Sequence, residues 1–236
     1  MAITDKHIGH PFSNDICAPA PAKKRMIALR FCLSAFAAFI VFANTSHAQT
    51  AVGGDTGTPA SAATCFACHG ALGAGSSAAI TPRLAGQNPD YLAHALSMFK
   101  DRTRASDTMQ GIAQNLSDSD IHALALYFSK QHPPRAQDGP APDPHLVAAG
   151  KQLAEIGAGP GVAACFSCHA AGGKGNGARF PSIAGQPESF LIKRLHDFQA
   201  RAKKSTPGPG TMMAVSATLS EAQIRQAAAY LSSIEP

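Results

Sequence analysis

Residues 65–69 of this chain, Cys-Phe-Ala-Cys-His, return a hundred residues later as Cys-Phe-Ser-Cys-His at 165–169. A C-x-x-C pair serves as half of a zinc site, as a thiol-disulfide couple or, when His follows directly, as the attachment point of c-type haem. A four-ligand zinc site built from Cys65, Cys68, Cys165 and Cys168 would leave His69 and His169 repeated for no purpose. Covalent haem uses every residue: two thiols form thioethers with the haem vinyls, and the adjacent His turns its ring to the iron as proximal ligand. The expectation is two covalent haem c groups, each with its iron.

The repeat runs well beyond these motifs. "TPRLAGQNPDYL" at 81–92 matches "FPSIAGQPESFL" at 180–191, and "MQGIAQNLSDSDIHALALYFS" from Met109 matches "MMAVSATLSEAQIRQAAAYLS" from Met212. The register is 99 in the first match and 103 in the second, which places an insertion at "PGPG", 207–210. Between the copies, 132–145 holds five prolines in fourteen residues and reads as a semi-extended linker. One domain is therefore expected at 50–131 and a second at 146–236. Each is small for an independent core, and the chain has no Trp and only 6% aromatics. A buried haem would fill such interiors.

The pattern is helical throughout. Tyr91, Leu92, Ala95, Leu96 and Phe99 form an apolar stripe, echoed by Phe190, Leu191, Leu195 and Phe198. Ser117 with Asp120 and Ser220 with Gln223 resemble capping boxes that open a last helix in each copy. No alternating run or hairpin signal competes, so the fold class is all-α.

A haem with one His ligand either leaves its other face open to small molecules or fills it and transfers electrons. The repeat sorts the candidates. His94, His122 and His196 have no counterpart, whereas Met109 recurs as Met212, 40 and 43 residues after the respective His. A thioether is a soft donor suited to haem iron, and both residues are read as axial ligands in loops before the last helix, with Met213 the competitor of Met212. Pro82 and Pro181 follow their histidines by 13 and 12 residues, and each offers a carbonyl to the ring N–H that faces away from the iron.

Residues 23–48 begin with Lys23, Lys24 and Arg25, run apolar from Phe31 to Ala43, and end with Ser46 and Ala48 before Gln49, as in a cleaved secretory signal. Residues 1–48 are accordingly expected to be a leader, directing the chain to the periplasm. They hold Cys17 and Cys32, so every remaining cysteine belongs to a C-x-x-C-H. They also hold much of the basic excess behind the formal charge of +5 and the pI of 9.0, which is thus no argument for nucleic acid.

Both C-x-x-C-H sites, both "AGQ" segments with their prolines and both Met segments resemble the class I cytochromes c, and the tandem pattern is similar to the dihaem cytochrome c4 family. The resemblance implies two helical domains related by an approximate twofold, His/Met ligation in each, and propionate edges meeting between them. It implies an electron carrier between a quinol-oxidising complex or dehydrogenase and a terminal oxidase, with peripheral association with inner-membrane complexes. The alternative is a dihaem subunit of a larger oxidoreductase, such as a flavocytochrome sulfide dehydrogenase. Catalysis at the haem, as in a dihaem peroxidase, requires a labile axial site, and the duplicated Met argues against it.

Overall fold

The computed structural model describes residues 58–159 and 161–236; the expected leader and its cleavage site lie outside the described residues. The described part is all-α, apart from two isolated β-bridges, Ser76 with Thr81 and Asn176 with Phe180, which fall at equivalent places in the two copies. The first copy contributes α1 (Ala62–His69), α2 (Pro89–Lys100), α3 (Asp107–Ala113) and α4 (Asp118–Ser129). The second contributes α5 (Pro144–Glu155), α6 (Phe166–His169), α7 (Glu188–Ala202), α8 (Met212–Ala217) and α9 (Glu221–Ser233).

Local chemistry sets most of these boundaries. The Asn88 side chain accepts the Tyr91 N–H ahead of Pro89, whose fixed φ and missing N–H suit a first helical turn. Both expected capping boxes form. Ser117 accepts from the Asp120 N–H at 3.1 Å while Asp120 accepts from the Ser117 N–H at 3.0 Å, and Ser220 and Gln223 do the same at 3.2 and 2.8 Å. Each box satisfies helix donors that would otherwise lack partners.

In the first copy, α2 packs on α3 and α4 around Ala62, Leu92, Leu124, Ala125 and Phe128. In the second, α5 crosses α9 while α7 packs on α8 and α9, around Ala154, Leu191, Ala228, Tyr230 and Leu231. The aromatic inside each C-x-x-C ties the motif to the last helix. Phe66 meets Phe128 edge-on at 6.0 Å between ring centroids, and Phe166 meets Tyr230 at 6.2 Å. Offset and edge contacts of this kind add to area burial. Cys65 and Cys165 pack against these same cores.

The stretch between α4 and α5 carries no helix and is tied down at several points. The buried Arg83 guanidinium donates to the carbonyls of Pro133 and Pro134 at 2.7 and 3.1 Å, and Asp138 accepts from the Ser76 hydroxyl and the Ser77 N–H.

The methionine segments differ from expectation. Met109 is the third residue of α3 and Met212 the first of α8, so both sit on short helices rather than in loops. Ser106 caps α3 by accepting from the Met109 N–H, and Thr211 caps α8 by accepting from the Ala214 N–H. The insertion moves the cap next to Met212, which sequence registration alone did not reveal.

Candidate functional site

Each C-x-x-C-H ends a short helix, α1 or α6, whose last residue is the histidine. The chain then turns sharply: Gly70 and Ala170 both take a positive φ, at 73° and 61°, before a 3-10 turn at 71–73 or 171–173. This turn is what folds the chain back so that Pro82 and Pro181 reach the histidines. The His69 Nδ1 lies 2.9 Å from the Pro82 carbonyl oxygen, and the His169 Nδ1 lies 2.7 Å from that of Pro181. A carbonyl only accepts, so in both rings Nδ1 carries the proton and Nε2 presents a lone pair. Burial pushes both ring pKa values down from the ordinary value, opposed by the proline contact. Both imidazoles are therefore neutral and prepared as metal ligands.

Burial pushes the Cys65 and Cys165 thiols up, away from thiolate. That environment does not suit a thiol-disulfide couple, which relies on a depressed thiol pKa. Among the described residues no three His, Cys, Asp or Glu side chains converge to hold a metal ion, so the two cysteine pairs do not assemble a zinc site.

The two copies share a cavity of about 1130 Å³. Its wall includes Cys65, Cys68, His69 and Met109 from the first copy and Cys165, Cys168, His169 and Met212 from the second, so all the expected site residues face one interior. Met213 does not line it. The remaining lining is largely apolar and includes Leu92, Leu124, Phe128, Leu191 and Leu231.

The polar part of the wall is cationic. Arg104 is buried, stacks on Phe99 with its guanidinium carbon 4.7 Å from the ring centroid, and has no carboxylate partner among the described residues. Arg194 from the other copy stacks on Phe198 at 4.2 Å; burial, and then the nearby Arg104 charge, push its pKa down to about 10. Two close cations, of which only Arg194 has a carboxylate nearby, Asp197 at 3.9 Å and shared with Lys193, at an otherwise largely apolar cavity fit a ligand that is apolar in its body and acidic at its edge. A haem with two propionates has that form. The residues present thus fit the group in thiols, ligand nitrogens, thioethers, shape and charge.

Sequence reasoning missed these arginines. Functional residues stand out in the sequence by recurrence, and Arg194 faces Ala95 in the other copy. Outside the cavity, Lys193 is paired with Asp197 at 2.7 Å, and Arg201, Lys203 and Lys204 are exposed.

Comparison with known proteins agrees with this geometry. The family model described as cytochrome c matches residues 147–235, and that of cytochrome c oxidase, cbb3-type, subunit III, matches residues 54–128. The cytochrome c4 of Pseudomonas aeruginosa is 37% identical over 174 residues, spanning 73% of this chain and 84% of that protein. The thiosulfate dehydrogenase electron acceptor of Thiomonas intermedia is likewise 37% identical over 174 residues, spanning 73% and 79%. The solved structure of Acidithiobacillus ferrooxidans cytochrome c4 superposes with a TM-score of 0.65 at 34% identity, covering 73% of this chain and 99% of that one.

Proposed function

Since the chain belongs to the cytochrome c4 family of dihaem cytochromes, we propose that it is an exported periplasmic carrier passing electrons from a quinol-oxidising complex or dehydrogenase to a terminal oxidase. It is a dihaem electron-transfer cytochrome, with two covalent haem c groups at the Cys65/Cys68 and Cys165/Cys168 pairs. Bound there, haem iron supplies reversible one-electron chemistry.

We assign the axial positions to His69 with Met109 and to His169 with Met212. The proton fixed on Nδ1 by Pro82 and Pro181 supports the histidine assignments, because it orients each ring and leaves Nε2 free. The presence of both methionines, but not Met213, in the cavity wall supports the rest. Held by these four residues, the irons would have no position left for a substrate, which is the condition for a carrier rather than a peroxidase. Among the described residues no helix is long and apolar enough to cross a membrane. Association with inner-membrane complexes is accordingly proposed as peripheral.

The observation that carries this reading is the cavity lined by both C-x-x-C-H motifs, which supports two redox centres sharing one interior. Its test is turnover by membranes: the reduced protein is mixed with washed membranes from the source cell and its oxidation followed optically. Rapid, cyanide-sensitive oxidation supports delivery to a terminal oxidase, and no oxidation contradicts it.

Similarity to a thiosulfate dehydrogenase electron acceptor favours a second reading, in which the immediate donor is a periplasmic sulfur-compound dehydrogenase and the chain works as its partner or subunit. Reduction of the oxidised protein by a periplasmic extract only when thiosulfate or sulfide is added, together with co-purification of the dehydrogenase, would distinguish it from a free carrier reduced by quinol-oxidising membranes.

A further inference from the structure

The glutamine of each "AGQ" segment reaches into the other copy. Gln186 is buried; its Oε1 accepts from the Arg83 N–H at 3.0 Å and its Nε2 donates to the Arg83 carbonyl at 3.0 Å. Gln87, also buried, does the same to Ser182: Oε1 accepts from the Ser182 N–H at 3.0 Å and Nε2 donates to its carbonyl at 2.6 Å. Arg83 and Ser182 are the residues that follow Pro82 and Pro181.

The covalent connectivity gives this arrangement its meaning. The Arg83 N–H belongs to the same peptide unit as the Pro82 carbonyl, which accepts from His69. One chain of hydrogen bonds therefore runs from the His69 ring through that peptide to Gln186 of the other domain. Its mirror runs from His169 through the Pro181–Ser182 peptide to Gln87. An amide whose N–H is engaged has a more negative carbonyl oxygen, so bonds in such a chain strengthen one another. The second Gln bond, to the next carbonyl, stops the peptide from rotating. A stronger acceptor at Nδ1 makes the imidazole a more basic ligand, which favours the oxidised metal.

We propose that Gln186 and Gln87 are crossed positioning residues: each sets, through the peptide it clamps, the proximal histidine and hence the redox potential of the haem in the opposite domain. The proposal rests on the assignment of His69 and His169 as iron ligands. A purely architectural role would need interdomain bonds somewhere, but not at the two peptides that also hold the ligand protons.

The test uses the full dihaem protein with Gln186→Met, which keeps the side-chain volume and removes both bonds. Haem resonances assigned to each domain by NMR are followed through a redox titration, with hydrogen exchange of the His69 and His169 ring N–H measured in parallel. At fixed ambient potential, the reduced-to-oxidised ratio of the first-domain haem should rise by about threefold, a modest change because Gln186 acts through a peptide and not on the ring itself. His69 ring exchange should quicken, while the second-domain haem and His169 stay as they were. Gln87→Met should give the converse, and serves as the test if Gln186→Met fails to take up haem. A shift confined to the variant's own domain overturns the proposal, as do equal shifts in both haems, which would mean only that the domains had separated, or no shift in either. Failure of the ligand assignment itself would already be visible in the unmodified protein, as a spectrum lacking His coordination.

Discussion

Gly150 of α5 and Gln226 of α9 are in direct backbone contact: a Cβ at position 150 would overlap the Gln226 carbonyl and press on the Cβ of Tyr230. The helices cross there because the side chain is absent, and the obstacle is backbone that cannot move aside. Gly150→Ala should therefore destabilise the second domain by about 1–3 kcal/mol, the usual cost of overpacking, despite alanine's better helix propensity. Thermal unfolding followed at the haem and by far-ultraviolet circular dichroism checks this; an unchanged or raised midpoint would contradict it.

Asp138 holds the turn at 76–78 through the Ser76 hydroxyl at 2.6 Å, the Ser77 N–H at 2.9 Å and the Ala78 N–H at 3.4 Å. These bonds, that of Ser76 foremost, lower its pKa below the ordinary carboxylate value. With the folded pKa depressed, the contribution is complete above the unfolded value near 3.8 and is lost as pH falls through the folded pKa. Amide exchange at Ser77 and Ala78 should accelerate below that range, and Asp138→Asn should show the fast exchange already at neutral pH. Exchange independent of pH in the parent, once corrected for intrinsic rate, would count against this anchor.

Met212 and Met213 compete for one position, and only Met212 lines the cavity. Met212→Ala should abolish one of the two sulfur-to-iron charge-transfer signatures of the oxidised protein, and Met213→Ala should leave both. The opposite pattern would show that the insertion at 207–210 shifts the register.

The exposed cations Arg201, Lys203 and Lys204 follow α7 directly or end it, next to the inserted segment. If the second domain meets an acidic partner there, attraction accelerates encounter and is screened by salt. Oxidation of the reduced protein by membranes should slow as ionic strength rises, and Lys203→Gln with Lys204→Gln should flatten that dependence. Equal salt dependence in parent and double variant would leave the cluster as a solvated surface.

The parts legible in the sequence are those with local causes. Cys65, Cys68 and His69 lie within five residues, and Ser117 and Ser220 cap helices through partners three residues away, so pattern alone exposes them. The Pro82 and Pro181 contacts were also accessible, because the repeat preserved them at nearly constant distance from the histidines. Gln87 and Gln186 were visible as a repeated segment but not as a clamp, since their partners lie 95 and 103 residues away in the other copy. Arg104 and Arg194 escaped for a different reason. They line a cavity to which both copies contribute, where one residue of a pair does not need its counterpart.

Reductive titration of the purified, exported protein, followed optically with carbon monoxide added at the end point, shows whether the chain carries two haems with both irons closed. With Met109 and Met212 as the proposed second ligands, the expected result is uptake of two electrons per chain, low-spin spectra in both states and no carbon monoxide adduct. Uptake of one electron, or a carbon monoxide complex at either site in the native protein, would contradict it.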